Sequence, residues 1–328
     1  MLSYESRFAG SILGLAIGDA LGYPSEFRSR KQILSNFPPH GLTDFVAVHD
    51  PRWIGGPYIL GTQHPPGTYT DDTQMTISVA HALLKAGHLP LDALMECLAQ
   101  EFVAWSQSPD NNRAPGNTCM SACQNLVEGI NWRHAGISQS KGCGSAMRVA
   151  PIGLCFWRDH KHLLEVARSS SIITHGHDAA IEGAAAAALL VALALEDYTP
   201  EQMYEALCAE CAPFSEDFNL CLQKLPQFIS QPPEIALSRY GLGESWVAEE
   251  AVVSALYCFW RHPRDFRAAI LTAVNTDGDS DSIACIVGSI AGAALGLEAI
   301  PLPWRNEIEN SPYLHQIAQQ LYKFALTL

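Results

Sequence analysis

"GSILGLAIGDALG", Gly10 to Gly22, places a glycine at every fourth position among apolar residues. In an α-helix that spacing lays Gly10, Gly14, Gly18 and Gly22 along one face as a stripe without side chains. A second stretch, "ACIVGSIAGAALG", repeats the device with Ala284, Gly288, Gly292 and Gly296. Each interior glycine costs a helix about 1 kcal/mol against alanine, so the stripes need a compensation. Close approach of another helix backbone supplies one, and the two stripes are candidate partners for each other. The plainer alternative is that each helix packs against bulky neighbours elsewhere.

Outward from these stretches the chain keeps helical spacing. Segments 3–21, 73–86, 91–107, 178–196, 201–210, 246–261, 265–274, 281–297 and 311–326 combine helix-forming residues with a helical apolar period, and strand signatures are nearly absent. The pattern is all-α. The interval 23–69 is different: Pro24, Pro38, Pro39, Pro51, Pro57, Pro65 and Pro66 alternate with Gly41, Gly55, Gly56, Gly61 and Gly67. An irregular stretch of that length reads as a lid or binding loop. The segments on either side are too short to fold alone, so one domain over 1–328 is expected.

Composition narrows the function. Hydrophobic residues make up 48% of the 328 and charged residues 16%, enough apolar material for a large core. A formal net charge of -14 argues against broad adhesion to nucleic acid or to an anionic membrane. The most lipid-like run, "GAAAAALLVALAL", is short of the roughly 20 residues that span a bilayer, and reads as a buried helix. "MLSYESRFAG" carries Glu5 and Arg7 where a secretory signal needs apolar residues. Ten cysteines are scattered; Cys208 and Cys211 form one CxxC and Cys119 and Cys123 one CxxxC, without a second pair at zinc-finger spacing. Core thiols in a reducing cytoplasm are expected.

Two acidic clusters carry the chemistry. "GTYTDDTQMT", Gly67 to Thr76, opens an apolar helix with Thr70, Asp71 and Asp72. Capping alone explains much of it: Thr70 as N-cap, two carboxylates in the first turn, Gly87 closing the helix. "NTDGDSDSIACIVG", Asn275 to Gly288, puts Asp277, Asp279 and Asp281 into five residues, with Asp279 or Ser280 as a possible cap. One cap needs one acceptor, and three crowded carboxylates repel unless solvent or a cation relieves them. The order of a calcium loop is missing. Two such clusters about 200 residues apart suggest a composite site of hard oxygen ligands, suited to Mg²⁺ or Mn²⁺.

At this point the chain resembles the ADP-ribosylglycohydrolases, a family that includes dinitrogenase-reductase-activating glycohydrolases and certain lens crystallins. The resemblance runs from "GSILGLAIGDALGYPSEF" through "GTYTDDTQM" and "GCGSAMRVAPIGL" to "DGDSDSIACIVGSIAGAALG". It implies a compact, single-domain, all-α orthogonal bundle that cleaves the bond between ADP-ribose and an acceptor with two Mg²⁺ or Mn²⁺ ions. By the same resemblance the metal ligands are Thr70, Asp71, Asp72, Asp279, Asp281 and Ser282, the last a serine where threonine is commoner. Glu26 matches a glutamate near the metals linked to gating and water activation, so Glu26 and Asp281 are the candidate bases. Ser140, Lys141, Gly142, Cys143 and Gly144 match a diphosphate-binding turn, with Cys143 where many relatives carry asparagine. Gly116, Asn117 and Thr118 occupy another family loop, and His175 matches a histidine near the diphosphate. The partner implied is the ADP-ribose moiety of a modified protein or small molecule, arginine-linked by preference. Two other readings stay open: a metal phosphohydrolase built on the His177–Asp178 pair, and a silent ADP-ribose-binding or structural member.

Overall fold

The computed structural model describes residues 2–54 and 63–328. Among the described residues no strand forms, and the β content is two isolated bridges, Ile137 with His175 and Gly142 with Val247. The all-α expectation is met.

The two glycine stripes do meet. The first lies on the helix Tyr4–Gly22 and the second on Ser280–Leu295. They face each other in antiparallel order, Gly10 against Gly292, Gly14 against Gly288 and Gly18 against Ala284. A methyl group added to Gly18 would stand 2.0 Å from the Ala284 carbonyl oxygen, and one added to Gly288 would stand 1.9 Å from that of Gly14. Only hydrogen fits there. The energy lost to glycine in each helix is offset by backbone-to-backbone packing along most of their length. The last contact positions the chemistry: a methyl on Gly22 would fall 2.4 Å from the Asp281 Cα, so the stripe seats the second acidic cluster directly against the first helix. Gly296 departs from the expected role. It sits past the last turn with φ +76°, where its N–H donates to Gly292 O, and so ends the helix instead of lining it.

Helices Asp178–Leu195, Ala248–Arg261, Phe266–Val274 and Ser311–Ala325 complete the surroundings of this pair. Asp178–Leu195 is long and apolar enough to cross a membrane by length and composition, yet it is largely buried inside the protein. It is a core helix, as the sequence reading has it.

The interval 23–69 needs correction. It is not irregular throughout: Tyr23–Ser25 makes a 3-10 turn and Arg30–Asn36 an α-helix. Ser29 accepts the Gln32 N–H while the Gln32 side chain accepts the Ser29 N–H, a reciprocal cap whose S-x-x-Q signature is present in the sequence. Asp277 Oδ1 accepts the Arg30 N–H at 2.7 Å, so this aspartate fastens the short helix to the second acidic segment. Residues 55–62, with Gly55, Gly56, Pro57 and Gly61, lie outside the described residues. Several helices lie outside the segments read from sequence, the longest being Asn117–Val127 and His160–Ile172. Both are half-exposed and keep a helical apolar face, but their overall apolar content is low, which hides them among the polar segments.

Candidate active site

The acidic clusters are helix starts brought together by the stripes. Thr70 caps Asp71–Ala86 as expected, its hydroxyl accepting the Asp72 N–H at 3.2 Å, and Gly87 follows the last turn. Capping leaves the carboxylates themselves free for other work. Asp71 Oδ2 accepts the Gly116 N–H at 3.2 Å. Asp72 Oδ2 accepts the Ser282 hydroxyl at 3.1 Å, which joins the two clusters directly. Asp279 caps its own helix, Oδ1 accepting the Ser282 N–H at 3.3 Å, while its Oδ2 accepts the Cys143 thiol at 2.8 Å.

Glu26 enters from the turn after the first helix. Glu26, Asp279 and Asp281 each offer an oxygen within 4.8 Å of the other two. Glu26 Oε2 and Asp281 Oδ1 are buried atoms with no hydrogen-bond partner. Unpartnered buried carboxylate oxygens are costly, and one cation satisfies several at once. The donor set, all hard oxygen on this side, fits a divalent ion of the Mg²⁺ or Mn²⁺ kind.

Above the carboxylates opens a cavity of about 300 Å³, lined by Glu26, Asp71, Asp72, Asp279, Asp281 and Ser282 together with Gly116, Asn117, Thr118, Gly142, Cys143, Gly144 and His175. The sequence reading thus names residues that share one cavity. Its glycines have a local reason. A methyl on Gly142 would lie 3.1 Å from His175 Nε2, and one on Gly144 would lie 3.1 Å from both His175 Cε1 and Cys119 Sγ. His175 lies beneath this turn, 2% exposed, its Nδ1 sharing a 2.8 Å hydrogen bond with the Thr174 hydroxyl. Buried Arg148 donates to the same hydroxyl at 2.7 Å. Burial, then the Arg148 charge, lowers the His175 pKa to about 3, so the ring is neutral at physiological pH.

Three expected residues stand back from the cavity. Lys141 is paired with Glu249 at 2.5 Å and Asp217 at 3.0 Å, which commits its ammonium group. Ser140 Oγ shares a 3.0 Å hydrogen bond with the Thr118 hydroxyl and accepts the Gly142 N–H at 3.4 Å, bracing the turn. Thr70 is wholly buried under the cluster. His177 Nδ1 accepts the Ala179 N–H and so caps Asp178–Leu195, which accounts for the His177–Asp178 pair without metal chemistry.

Asp19 is a site residue that the sequence reading passed over. It lies on the first helix, fully buried, and accepts the N–H groups of Thr70 at 2.9 Å and Thr73 at 3.0 Å and the Thr73 hydroxyl. It therefore holds the start of Asp71–Ala86 against the first helix. The available signal was an aspartate inside an otherwise apolar, glycine-striped helix.

Burial raises every carboxyl in the group, and neighbouring carboxylates add to it at Glu26, Asp71, Asp72 and Asp281. Burial lifts Asp71 to about 8 and Asp19 to about 6. Asp72 is held well above the ordinary range by burial and by Asp19, Asp71 and Asp279. Burial and the neighbouring carboxylates do the same to Glu26 and Asp281. A carboxyl whose folded pKa is raised adds stability below its unfolded value, and that stability is lost as pH climbs through the folded value. Cation-free protein should therefore melt lower at about pH 8.5 than at about pH 5.5, by roughly 5 °C or more. Saturating Mg²⁺ should flatten the dependence, and Asp281→Asn should reduce it in cation-free protein. A cation-free melting temperature that rises over this range would contradict the carboxylate crowding described here.

Comparison with known proteins shows the family. A model of the ADP-ribosylglycohydrolase family matches residues 1–326. The chain belongs to that family. As a member it is an enzyme, a hydrolase of ADP-ribosyl linkages. An uncharacterized protein of Archaeoglobus fulgidus is 32% identical over 99% of this chain and 98% of its own length. The ADP-ribosylarginine hydrolase Tri1 of Pseudomonas putida is 27% identical over 96% of this chain and 78% of its own. A solved structure described as an ADP-ribosylglycohydrolase-related protein complex superposes with a TM-score of 0.77 at 27% identity, covering 98% of this chain and 99% of that one. The first and last stretches that carry the resemblance lie on the two glycine-striped helices, so the resemblance and the packing rest on the same residues.

Proposed function

We propose that this hydrolase is metal-dependent and releases ADP-ribose from an arginine-linked acceptor. The observation that carries the metal reading is the pair of buried, unpartnered oxygens, Glu26 Oε2 and Asp281 Oδ1, in a group of three carboxylates. Asp71, Asp72, Asp279, Asp281 and Ser282, with Thr70 beneath them, would hold two Mg²⁺ or Mn²⁺ ions. When bound, such ions supply Lewis-acid stabilisation and orient the ribose hydroxyls and a water.

The remaining work falls to the chain. The turn Gly142–Gly144 and the Asn117–Thr118 helix start present backbone and small side chains to a diphosphate without net positive charge. Glu26, which lines the cavity, would accept the proton of the water that attacks the anomeric carbon. The glycosidic bond to the acceptor breaks as the new C–O bond forms, through an oxocarbenium-like transition state. Asp281 is the other candidate base. An arginine acceptor is supported by the resemblance to Tri1 and by the acidic character of the site, which suits a guanidinium group. A cytoplasmic location is proposed from the ten free thiols.

Release of free ADP-ribose from arginine-, serine- and glutamate-linked substrates, with and without Mg²⁺, tests the reading. Preferential release from the arginine substrate, dependent on Mg²⁺, is expected. Binding of ADP-ribose without release from any substrate would mark a silent binding member. Mg²⁺ should also raise the melting temperature by mass action, and Asp71→Asn, Asp72→Asn, Asp279→Asn or Asp281→Asn should blunt the rise. An equal rise in all four variants would instead indicate nonspecific ion effects.

A further inference from the structure

Arg148 is wholly buried, and among the described residues no carboxylate pairs with it. Its guanidinium lies 4.3 Å from the Phe102 ring centre, touches the Met75 and Cys119 sulfurs, and donates to Ser170 O at 3.2 Å. Burying a cation without a counter-charge is costly. Its shortest bond, 2.7 Å, goes to the Thr174 hydroxyl, which is also shared with His175. A guanidinium only donates, so the Thr174 oxygen accepts from Arg148 and has one proton of its own to give. Two acceptors lie near, His175 Nδ1 at 2.8 Å and Ser171 O at 3.5 Å. The first is a normal hydrogen-bond length and the second lies beyond it. Ser171 O moreover already accepts the N–H groups of Thr174 at 2.9 Å and His175 at 2.7 Å. The hydroxyl proton therefore goes to Nδ1, where a ring proton would also face the guanidinium charge.

With Nδ1 an acceptor, the neutral ring carries its proton on Nε2. That nitrogen makes no hydrogen bond among the described residues, although its side chain is 2% exposed and lines the cavity. It faces the glycine turn: a methyl on Gly142 would stand 3.1 Å from it, and one on Gly144 3.3 Å. A buried donor left open toward a cavity calls for an acceptor from outside the chain. We propose that Arg148 and Thr174 are positioning residues, a relay that fixes His175 as an Nε2–H donor to the substrate diphosphate at the Gly142–Gly144 turn. The opposite tautomer would turn a lone pair on the same anionic oxygen. The relay rests on the reading of the cavity as an ADP-ribose site.

The test uses full-length ¹⁵N-labelled protein in Mg²⁺. Long-range ¹H–¹⁵N spectra of the imidazole rings report which nitrogen carries the proton, and His175→Asn identifies the His175 signals by their loss. Wild type should show a bare Nδ1 and a protonated Nε2. Thr174→Val keeps the side-chain shape without the hydroxyl. It should shift the Nδ1 resonance and weaken calorimetric ADP-ribose binding about tenfold, while Thr174→Ser stays near wild type in both. Arg148→Met should admit the Nδ1-protonated form. Mg²⁺ should still raise the melting temperature of each variant, which separates the relay from a general folding defect. A wild-type ring protonated on Nδ1 would overturn the proposal, and that spectrum decides even if Thr174→Val or Arg148→Met does not fold. So would a Thr174→Val protein that binds ADP-ribose as tightly as wild type. If wild type binds ADP-ribose and releases it from substrate, those results remove the relay alone. If wild type binds no ADP-ribose, the reading of the cavity falls and the relay falls with it.

Discussion

Gly288→Val is expected to lower the melting temperature by about 4 °C or more, the loss that follows from roughly 3 kcal/mol or more of overpacking in a chain of this size. The reason is local. The added Cβ would meet the Gly14 carbonyl oxygen at 1.9 Å and its carbonyl carbon at 2.4 Å. Backbone has no rotamer to swing aside, so the two helices must part, and their separation opens the core along both. Ala294→Val, on the half-exposed face of the same helix, carries the propensity penalty of valine without that clash and should cost less than about 1 kcal/mol. Thermal melts of both variants decide the matter. A Gly288→Val protein melting within a degree or two of wild type would mean that the stripes do not touch. Because the stripe ends at Gly22 against Asp281, the same variant should also weaken Mg²⁺ binding in whatever fraction stays folded.

Glu26→Gln should lower kcat by roughly 10²–10⁴-fold, the usual range for a lost acid–base group, while ADP-ribose binding survives. Glutamine keeps the size and hydrogen-bonding reach of the side chain but does not take up a proton as a carboxylate does. Asp281→Asn should behave differently. Asp281 is central to the acidic cluster and its backbone is packed against Gly22, so its loss should impair cation binding and turnover together. Calorimetric ADP-ribose affinity compared with single-turnover rates on an arginine-linked substrate separates the two roles. Wild-type turnover in Glu26→Gln would remove Glu26 from proton transfer and leave Asp281 as the base.

Local sequence alone sets most of the long helices and the acidic chemistry they carry. A four-residue glycine period is a helical signal whatever surrounds it, and Thr70 and Asp279 cap their helices through contacts within a few residues. The same locality makes Asp71, Asp72, Asp279 and Asp281 legible as carboxylates crowded beyond what caps require. Short and half-exposed helices such as Arg30–Asn36 were hidden, because a single turn or two carries too few apolar positions to set a period, and flanking prolines dominate the reading. Partnership was decided by tertiary structure alone. Nothing local says that Gly18 faces Ala284, that the Ser282 hydroxyl reaches Asp72, or that Asp19 ties Thr70 and Thr73 to the first helix. Lys141 shows the same limit from the other side, since its partners Glu249 and Asp217 lie far along the chain. Spacing along a sequence fixes which residues share a helix face. Which faces meet, and which carboxylate oxygens are left without a partner, depends on long-range packing that only the folded chain specifies.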